Sequence, residues 1–143
     1  MTVARILAEK GRDVLTTQPH RTVKEVAAQL ASRGVGAVIV SDAAQAVLGI
    51  VSERDIVRAI GTGPSSVLEE PVSRYMTAKV TTVDESASID RVMELMTEGR
   101  FRHLPVVEKG ALVGIVSIGD IVRRHVDALS HEREALREYI ATA

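Results

Sequence analysis

The chain has 143 residues, 45% of them hydrophobic, and its 18 basic and 19 acidic side chains leave a formal net charge of −1. This length suits one domain or two small domains that share a core, and the lack of cysteine excludes disulfides, thiolate metal sites and cysteine nucleophiles. The balanced charge and the aromatic content of 2% argue against nucleic-acid binding, and no run approaches the ~18 apolar residues of a membrane span, so we expect a cytoplasmic protein.

The first third of the chain predicts a helix, a short strand and a second helix. Residues 3–9 have a helical pattern that ends at Gly11, and residues 14–17 are β-prone. Thr22 and Glu25 have the spacing of a capping box, in which two side chains satisfy backbone N–H groups at a helix start. Gly34 suits the left-handed end of this helix. Its apolar face follows the spacing i, i+3, i+4, i+7: Val23, Val26, Ala27 and Leu30.

A hairpin and a third helix are predicted next. The apolar runs 37–40 and 46–51 are separated by a short polar loop, which is typical of two antiparallel strands. A helix is expected over residues 53–60. Residues 61–66 have the composition of a linker, and residues 72–76 are expected to form one helical turn.

The second half of the chain repeats this order. Residues 80–83 predict the short strand, and residues 104–107 and 112–116 predict the hairpin, with a tight turn at Lys109 and Gly110. The predicted helical face lies 66 residues after the first one: Ile89, Val92, Met93 and Met96. We therefore predict an α/β fold made of a duplicated strand–helix–strand–strand–helix module. Two such copies would pack about a pseudo-two-fold axis and bury their sheets against each other.

A C-terminal helix is expected beyond Arg124. Its apolar residues form an imperfect heptad stripe in which Arg133 takes one place: Val122, Val126, Leu129, Leu136 and Ile140. Two interpretations fit this stripe, which are packing against its own module and contact with a second copy of the chain.

One motif occurs twice, at the end of the second hairpin strand in each half. It runs from Gly49 to Asp55 and from Gly114 to Asp120, and in both copies an apolar run ends in a serine that precedes an aspartate by three residues: Ser52 with Asp55, and Ser117 with Asp120. The pattern is itself that of a helix cap. A capping box prefers Glu or Gln, however, so the shorter aspartate is expected to reach back less well and to remain available to a ligand.

The position of this motif also favours a binding site. A helix start offers unpaired N–H groups and the positive end of the helix dipole to a phosphate. A carboxylate one turn away can accept hydrogen bonds from the two hydroxyls of a ribose. The Gly-apolar residues before each serine allow close backbone approach and an apolar wall for a base. Together these groups are suited to a nucleoside phosphate.

With the motif Gly-Ile-Val-Ser-x-x-Asp in both halves, and with Arg102-His103-Leu104-Pro105-Val106-Val107 before the second copy, the chain resembles a tandem pair of cystathionine-β-synthase-type (CBS) domains. The resemblance covers about residues 8–128. It divides the chain into a first CBS domain at 8–68, a second at 69–128 and a helical extension at 129–143. We expect no attached enzyme or transporter domain, so the chain is similar to small stand-alone CBS pairs.

The resemblance implies an adenosyl ligand, such as AMP, ADP, ATP, NAD or S-adenosylmethionine, in one or both clefts between the repeats. It implies that Asp55 and Asp120 bind ribose and that Ser52 and Ser117 bind phosphate. It also implies a homodimer, since CBS pairs usually associate as disc-like dimers. The adenine is expected near the short strands, the starts of the next strands and the motif isoleucines: Thr16, Thr17, Thr82, Val83, Val35, Ala37, Phe101, His103, Ile50 and Ile115.

The two copies differ in charge. The second has Arg100, Phe101, Arg102 and His103 where the first has residues 34–37, which carry no cation. Arg54 in the first motif likewise corresponds to Gly119 in the second. The sequence therefore predicts two inequivalent clefts, with Arg102 and His103 as phosphate partners, although it does not indicate which cleft they face.

Three other functions are alternatives to a nucleotide sensor. An enzyme is disfavoured because Ser52 has no histidine or lysine in a nucleophile arrangement, and the histidines have no metal-ligand spacing. A structural dimerisation module without a nucleotide remains the alternative. Nucleic-acid binding has the weakest case, and the sequence identifies no downstream protein partner.

Overall fold

The computed structural model describes residues 1–142, which form five helices, five strands and two short 3₁₀ turns. In chain order these are α1 (Val3–Lys10), β1 (Thr16–Thr17), α2 (Val23–Arg33), β2 (Ala37–Ser41), β3 (Val47–Ser52), α3 (Glu53–Thr62), 3₁₀ turns at Val67–Glu69 and Val72–Arg74, α4 (Ile89–Gly99), β4 (His103–Glu108), β5 (Ala111–Ser117) and α5 (Ile118–Thr142). The strands form a three-stranded sheet, β1-β2-β3, and a two-stranded sheet, β4-β5. The predicted duplicated α/β module is thus confirmed, and its division at 8–68, 69–128 and 129–143 stays a prediction whose last residue, Ala143, lies outside the described residues.

The local signals explain where the helices and the hairpin turn form. The backbone N–H of Glu25 donates to Thr22 Oγ1 at the start of α2, and Gly34 ends α2 in the left-handed region with φ 64°. In the second half, Arg100 takes the equivalent left-handed position with φ 56°. Lys109 and Gly110 both have positive φ, which suits a two-residue hairpin turn between β4 and β5.

The predicted strand at residues 80–83 is wrong. Only Val83 makes a bridge, to Val106, whereas β1 pairs with β2 over two residues. In the first half, Ile39 N–H donates to the Leu15 carbonyl at 3.0 Å. The residue equivalent to Ile39 is Pro105, which has no N–H to donate. The second copy therefore lacks one rung of the parallel ladder, and residues 80–82 are left without a strand partner.

The predicted buried face of α4 is wrong in one residue. Val92 and Met96 are buried, but Met93 is 36% exposed. Leu95 packs against the apolar core of the second half instead. Both Met93 and Leu95 flank the buried stripe, and helical periodicity alone does not choose between the two sides of a stripe.

Each half of the molecule has its own apolar core. The segment that precedes each half in the chain packs into the core of the other half. Val67 and Val72 join the first core, which α2, β2, β3 and α3 otherwise form. Val3, Ile6 and Leu7 of α1 join the second core. Thus the N-terminal helix belongs to the second half, and the segment between the halves belongs to the first.

The backbone repeats this exchange symmetrically. Val3 N–H donates to the Ala87 carbonyl at 2.9 Å, and the equivalent Val72 N–H donates to the Arg21 carbonyl at 2.7 Å. The opposite faces of the strands, which carry Ala37, Ile39 and Pro105, are buried outside both cores. Such burial is what the predicted packing of sheet against sheet about a pseudo-two-fold axis requires.

The long helix α5 leaves its apolar stripe in solvent. Ile121 is its one buried residue among those described, while Val122, Val126, Leu129, Leu136 and Ile140 are each more than half exposed. The interpretation that this stripe packs against its own module is therefore wrong. Within residues 1–142 no helix is both long and apolar enough to cross a membrane.

Candidate functional site

The two serine–aspartate motifs lie where β3 turns into α3 and where β5 turns into α5. At the first, Ser52 N–H donates to Asp55 Oδ2 at 2.9 Å, and Asp55 N–H donates to Ser52 Oγ at 3.2 Å. At the second, Ser117 N–H donates to Asp120 Oδ2 at 2.8 Å, and Asp120 N–H donates to Ser117 Oγ at 3.2 Å. Both motifs are therefore reciprocal helix caps.

The expectation that aspartate is too short to reach back is wrong. The extended backbone of Ser52 (φ −104°, ψ 165°) brings its N–H within reach of the Asp55 carboxylate. Glu25 is the residue that does not reach back, because its Oε2 pairs with Arg21 at 3.3 Å. In the described residues, every hydrogen bond to the Asp55 carboxylate goes to Oδ2, including one from Ser52 Oγ at 3.0 Å. Capping thus leaves Asp55 Oδ1 to accept from a ligand.

A cleft of about 550 Å³ opens beside the first motif. Its walls come from both halves, because Ile50, Ser52, Arg54 and Asp55 face the segment that includes Phe101, Arg102 and His103. The sequence did not indicate which motif Arg102 and His103 accompany, and the structure places them with Asp55. Seven of the predicted site residues therefore line one cavity.

The cleft also contains residues that the sequence did not indicate as ligand partners, although Arg100 was noted among the cations of the second copy. Arg58, Lys79 and Arg100 line it, with Thr77, Val80 and Thr81. Arg58 follows Arg54 and Asp55 by four and three residues, so helical spacing along α3 was a signal that it shares their face. Thr81 belonged to the predicted strand 80–83, and Lys79 directly precedes it; both line the cleft.

The lining of this cleft is strongly basic. It carries five cationic side chains and two carboxylates, namely Arg54, Arg58, Lys79, Arg100 and Arg102 with Glu53 and Asp55. Within the described part of the chain none of these five cations makes an ion pair. The chain as a whole has a net charge of −1, so the positive charge is local to this cleft. It suits an anion with several charges.

His103 lies between the two halves. Its ring approaches Gly36, where an added Cβ would lie 3.5 Å from the ring carbon Cε1. Burial, and then the charge of Lys10, lower the pKa of His103 below its usual 6.5, against the opposing charges of Asp120 and Glu53. At neutral pH His103 is therefore an uncharged hydrogen-bonding group in the cleft.

Other predicted residues lie away from this cleft. Thr17 is buried and lines a separate cavity of about 610 Å³ with Arg21, Gln29 and Asp42. Thr82 is exposed, and Val35 is 38% exposed at the end of α2. Ala37 is buried on β2 beside the cleft residue Gly36. Ile115, Ser117 and Asp120 belong to the second motif.

The second motif is occupied by a side chain of the protein itself. Lys10 Nζ donates to Asp120 Oδ2 at 2.7 Å and to the Ile115 carbonyl at 2.9 Å. Burial alone would raise the pKa of Asp120, but hydrogen bonds from Lys10 and Ser117 and the charge of Lys10 hold it below its usual 3.8. Asp120 is therefore ionised and paired, and the two motifs are inequivalent.

Comparison with known proteins identifies the same duplication. The CBS domain family model matches residues 4–62 and 72–127. A CBS-domain containing protein from Agrobacterium tumefaciens is 44% identical, with a TM-score of 0.84 over 87% of this chain and 99% of that one. In residues 1–142 no cluster of three or more His, Asp or Glu side chains suited to a metal ion is found.

Two similar structures were solved with adenosyl compounds. A CBS domain protein from Pyrobaculum aerophilum complexed with AMP is 30% identical, with a TM-score of 0.74 over 84% of this chain and 89% of that one. The CBS domain pair of protein MJ0100, in complex with 5′-methylthioadenosine and S-adenosyl-L-methionine, is 25% identical, with a TM-score of 0.79 over 87% of this chain and 99% of that one.

Proposed function

This chain belongs to the CBS domain family, and we propose that it is a non-catalytic sensor that binds an adenine nucleotide in the cleft beside Asp55. The observation that carries the proposal is the joint presence of an available carboxylate oxygen and five unpaired cations around one cavity. A ribose needs the first and a phosphate chain needs the second. The AMP complex of the Pyrobaculum relative supports an adenosyl ligand.

Each part of the nucleotide has a matching group in this proposal. Asp55 Oδ1 accepts from the ribose hydroxyls while Oδ2 keeps its cap. The start of α3 at Ser52, with Arg54 and Arg102, binds the phosphates, since a helix N-terminus and arginine both favour anions. Ile50 and Phe101 form the apolar walls for the adenine. Arg58, Lys79 and Arg100 extend the basic surface beyond the first phosphate.

The charge of the cleft bears on the choice of ligand. S-adenosylmethionine carries a sulfonium cation, which five unpaired cations disfavour. ATP carries more negative charge than AMP, whereas NAD carries less, because its cationic nicotinamide ring offsets part of the charge of its phosphates. The cleft can pair with more than the single phosphate of AMP. ATP is therefore the ligand that we favour over AMP, and charge ranks NAD below both.

Signalling follows from the position of the cleft between the two halves. Arg102 and His103 come from the second half and Asp55 from the first, so a ligand bonded to both favours one arrangement of the halves. A ligand that prefers one arrangement shifts the population towards it. Catalysis is not part of the proposal, because Ser52 Oγ donates to Asp55 rather than to a general base such as histidine.

The homodimer remains a proposal, supported by the exposed stripe on α5. Val126, Leu129 and Leu136 are each more than half exposed at near-heptad spacing, the pattern by which helices of two chains pair. The same stripe favours the alternative function of a dimerisation module, in which the motifs act only as caps.

Charge placed in this stripe is expected to separate the dimer. The double substitution Leu129→Glu and Leu136→Glu should give a monomer in sedimentation velocity at micromolar concentration, because a carboxylate costs free energy when buried in an apolar contact. Ala135→Glu, on another face of α5, should leave the dimer intact. A wild-type monomer, with and without nucleotide, would contradict the proposal.

A thermal-shift series tests nucleotide binding most simply. A ligand at about 100 times its Kd stabilises the folded state by ~2.7 kcal/mol, or roughly 5–10 °C in Tm for a chain of this size. The expected order of shifts at equal concentration is ATP, then AMP, then NAD, with adenosine and S-adenosylmethionine lowest. If none of the five raises Tm, the chain has no adenosyl site and the dimerisation module is the better account.

A further inference from the structure

The two motifs have equivalent lysines that behave differently. Leu7 packs over Gly114 as Met76 packs over Gly49, since a Cβ added at either glycine would lie within 3 Å of that side chain. Three residues beyond Leu7 is Lys10, and three residues beyond Met76 is Lys79. Lys10 pairs with the second motif aspartate, whereas Lys79 lines the open cleft of the first.

The backbone explains this difference. After Met76 the chain is extended, and Thr77 exchanges both backbone hydrogen bonds with Ile50, at 2.9 and 3.0 Å. After Leu7 the chain stays helical to Lys10, so its backbone N–H groups are used within α1. The Ile115 carbonyl, equivalent to that of Ile50, is instead satisfied by Lys10 Nζ at 2.9 Å.

Several contacts hold Lys10 in this position. Leu7 is 1% exposed in the second core, and Glu9 on the same turn pairs with Arg124 of α5. The side chains of Lys10 and Asp120 are 27% and 12% exposed. The helix therefore holds the Lys10 ammonium group against Asp120. In the first half, the equivalent Lys79 leaves Asp55 accessible.

Resting on the proposed nucleotide function, we propose that Lys10 acts as an internal occupant of the second motif and limits each chain to one nucleotide. Its ammonium group neutralises the Asp120 carboxylate and lies directly beside the second motif, where the equivalent Lys79 leaves the first motif open. The second motif also lacks equivalents of Arg100 and Arg102, since residues 34–37 carry no charge. A charged ligand that displaced Lys10 would therefore find no counterparts of these two arginines for its phosphates.

Removing the ammonium group should open a second site for an uncharged nucleoside. Adenosine is the appropriate probe, because residues 34–37 offer nothing to a phosphate. In isothermal titration calorimetry, Lys10→Met is expected to bind one more equivalent of adenosine than the wild type. Lys10→Met with Asp120→Asn should return to the wild-type stoichiometry, because the acceptor for the ribose is then lost.

Matched variants separate this effect from a general loss of structure. Lys24→Met removes an exposed lysine from α2 and should leave the stoichiometry unchanged. Lys10→Gln, whose side chain is one atom shorter and uncharged, should behave as Lys10→Met, and far-UV circular dichroism should show native helix in each variant.

The outcomes distinguish this proposal from the nucleotide function on which it rests. Equal stoichiometry in wild type and Lys10→Met overturns the role of Lys10, as does a second wild-type site that Asp120→Asn removes. If the wild type binds no adenosine or ATP, the proposed function fails. An additional equivalent in Lys10→Met would even then support Lys10 as the occupant.

Discussion

Asp55→Asn is expected to weaken ATP binding about 100-fold, a loss of about 3 kcal/mol from hydrogen bonds to an ionised acceptor. The native carboxylate has two oxygens, and capping uses only Oδ2. Asparagine has one carbonyl oxygen, which can cap α3 or accept from the ribose, while its amide nitrogen presents a donor to hydroxyls that need an acceptor. Isothermal titration calorimetry with ATP measures the effect directly.

Asparagine was chosen because it preserves the cap. The Ser52 N–H can still donate to the side chain at position 55, so the unfolding free energy should change by less than about 1 kcal/mol. Asp90→Asn is the matched control, since Asp90 also lies in the first turn of a helix, α4, away from the cleft. An unchanged Kd for ATP in Asp55→Asn would mean that the carboxylate is a cap and nothing more.

Leu7→Ala is expected to lower the unfolding free energy by about 2–5 kcal/mol, the cost of deleting a buried leucine side chain. Leu7 is 1% exposed and lies in the second core with Val92 and Leu104. It packs directly on Gly114, which has no side chain to move into the space. Urea denaturation, followed by circular dichroism, gives the change in free energy.

The control for Leu7 is Val57→Ala on α3. Val57 is 69% exposed, so its loss should change the unfolding free energy by no more than about 0.5 kcal/mol. If Leu7→Ala also fell within that range, the N-terminal helix would be an appendage, and the exchange of segments between the two halves would be wrong. The same result would remove the support that fixes Lys10 at Asp120.

Local patterns predicted much of this fold because they depend on neighbouring residues. The repeat of the motif, the apolar face of α2, the left-handed Gly34 and the Lys109–Gly110 turn are all set within a few residues. The predicted strand at residues 80–83 does not form, and the reason lies in its partner strand, which is distant in sequence. Pro105 has no N–H for the hydrogen bond that Ile39 makes in the first half, and nothing in residues 80–83 themselves indicates that this hydrogen bond is missing.

The sequence indicated which types of residue form the candidate site, but it did not indicate all the residues that meet in one cleft. Asp55, Ser52 and Arg102 were identified from the motif and from the charge near β4. Lys10 and Lys79 were missed, because each lies outside its motif and reaches a cleft only through the exchanged segments. The capping geometry was misjudged because it depends on the backbone conformation at Ser52, which the residue types do not reveal.

The exposed stripe on α5 shows a further limit of periodicity. A heptad pattern predicts that one face of a helix is buried, but it does not identify the partner. Val122 and Leu129 are exposed, so the chain's own core is not their partner. The heptad pattern is also what a helix that contacts a second copy of the chain would show.

The most direct test of the central claim is a crystal structure of the protein grown with ATP. We expect difference density in the cleft of the first motif, with the ribose on Asp55 Oδ1 and the phosphates against Arg102 and Arg58, while Lys10 stays on Asp120. Density for the nucleotide at Asp120 with Lys10 displaced, or an empty cleft at saturating ATP, would contradict it.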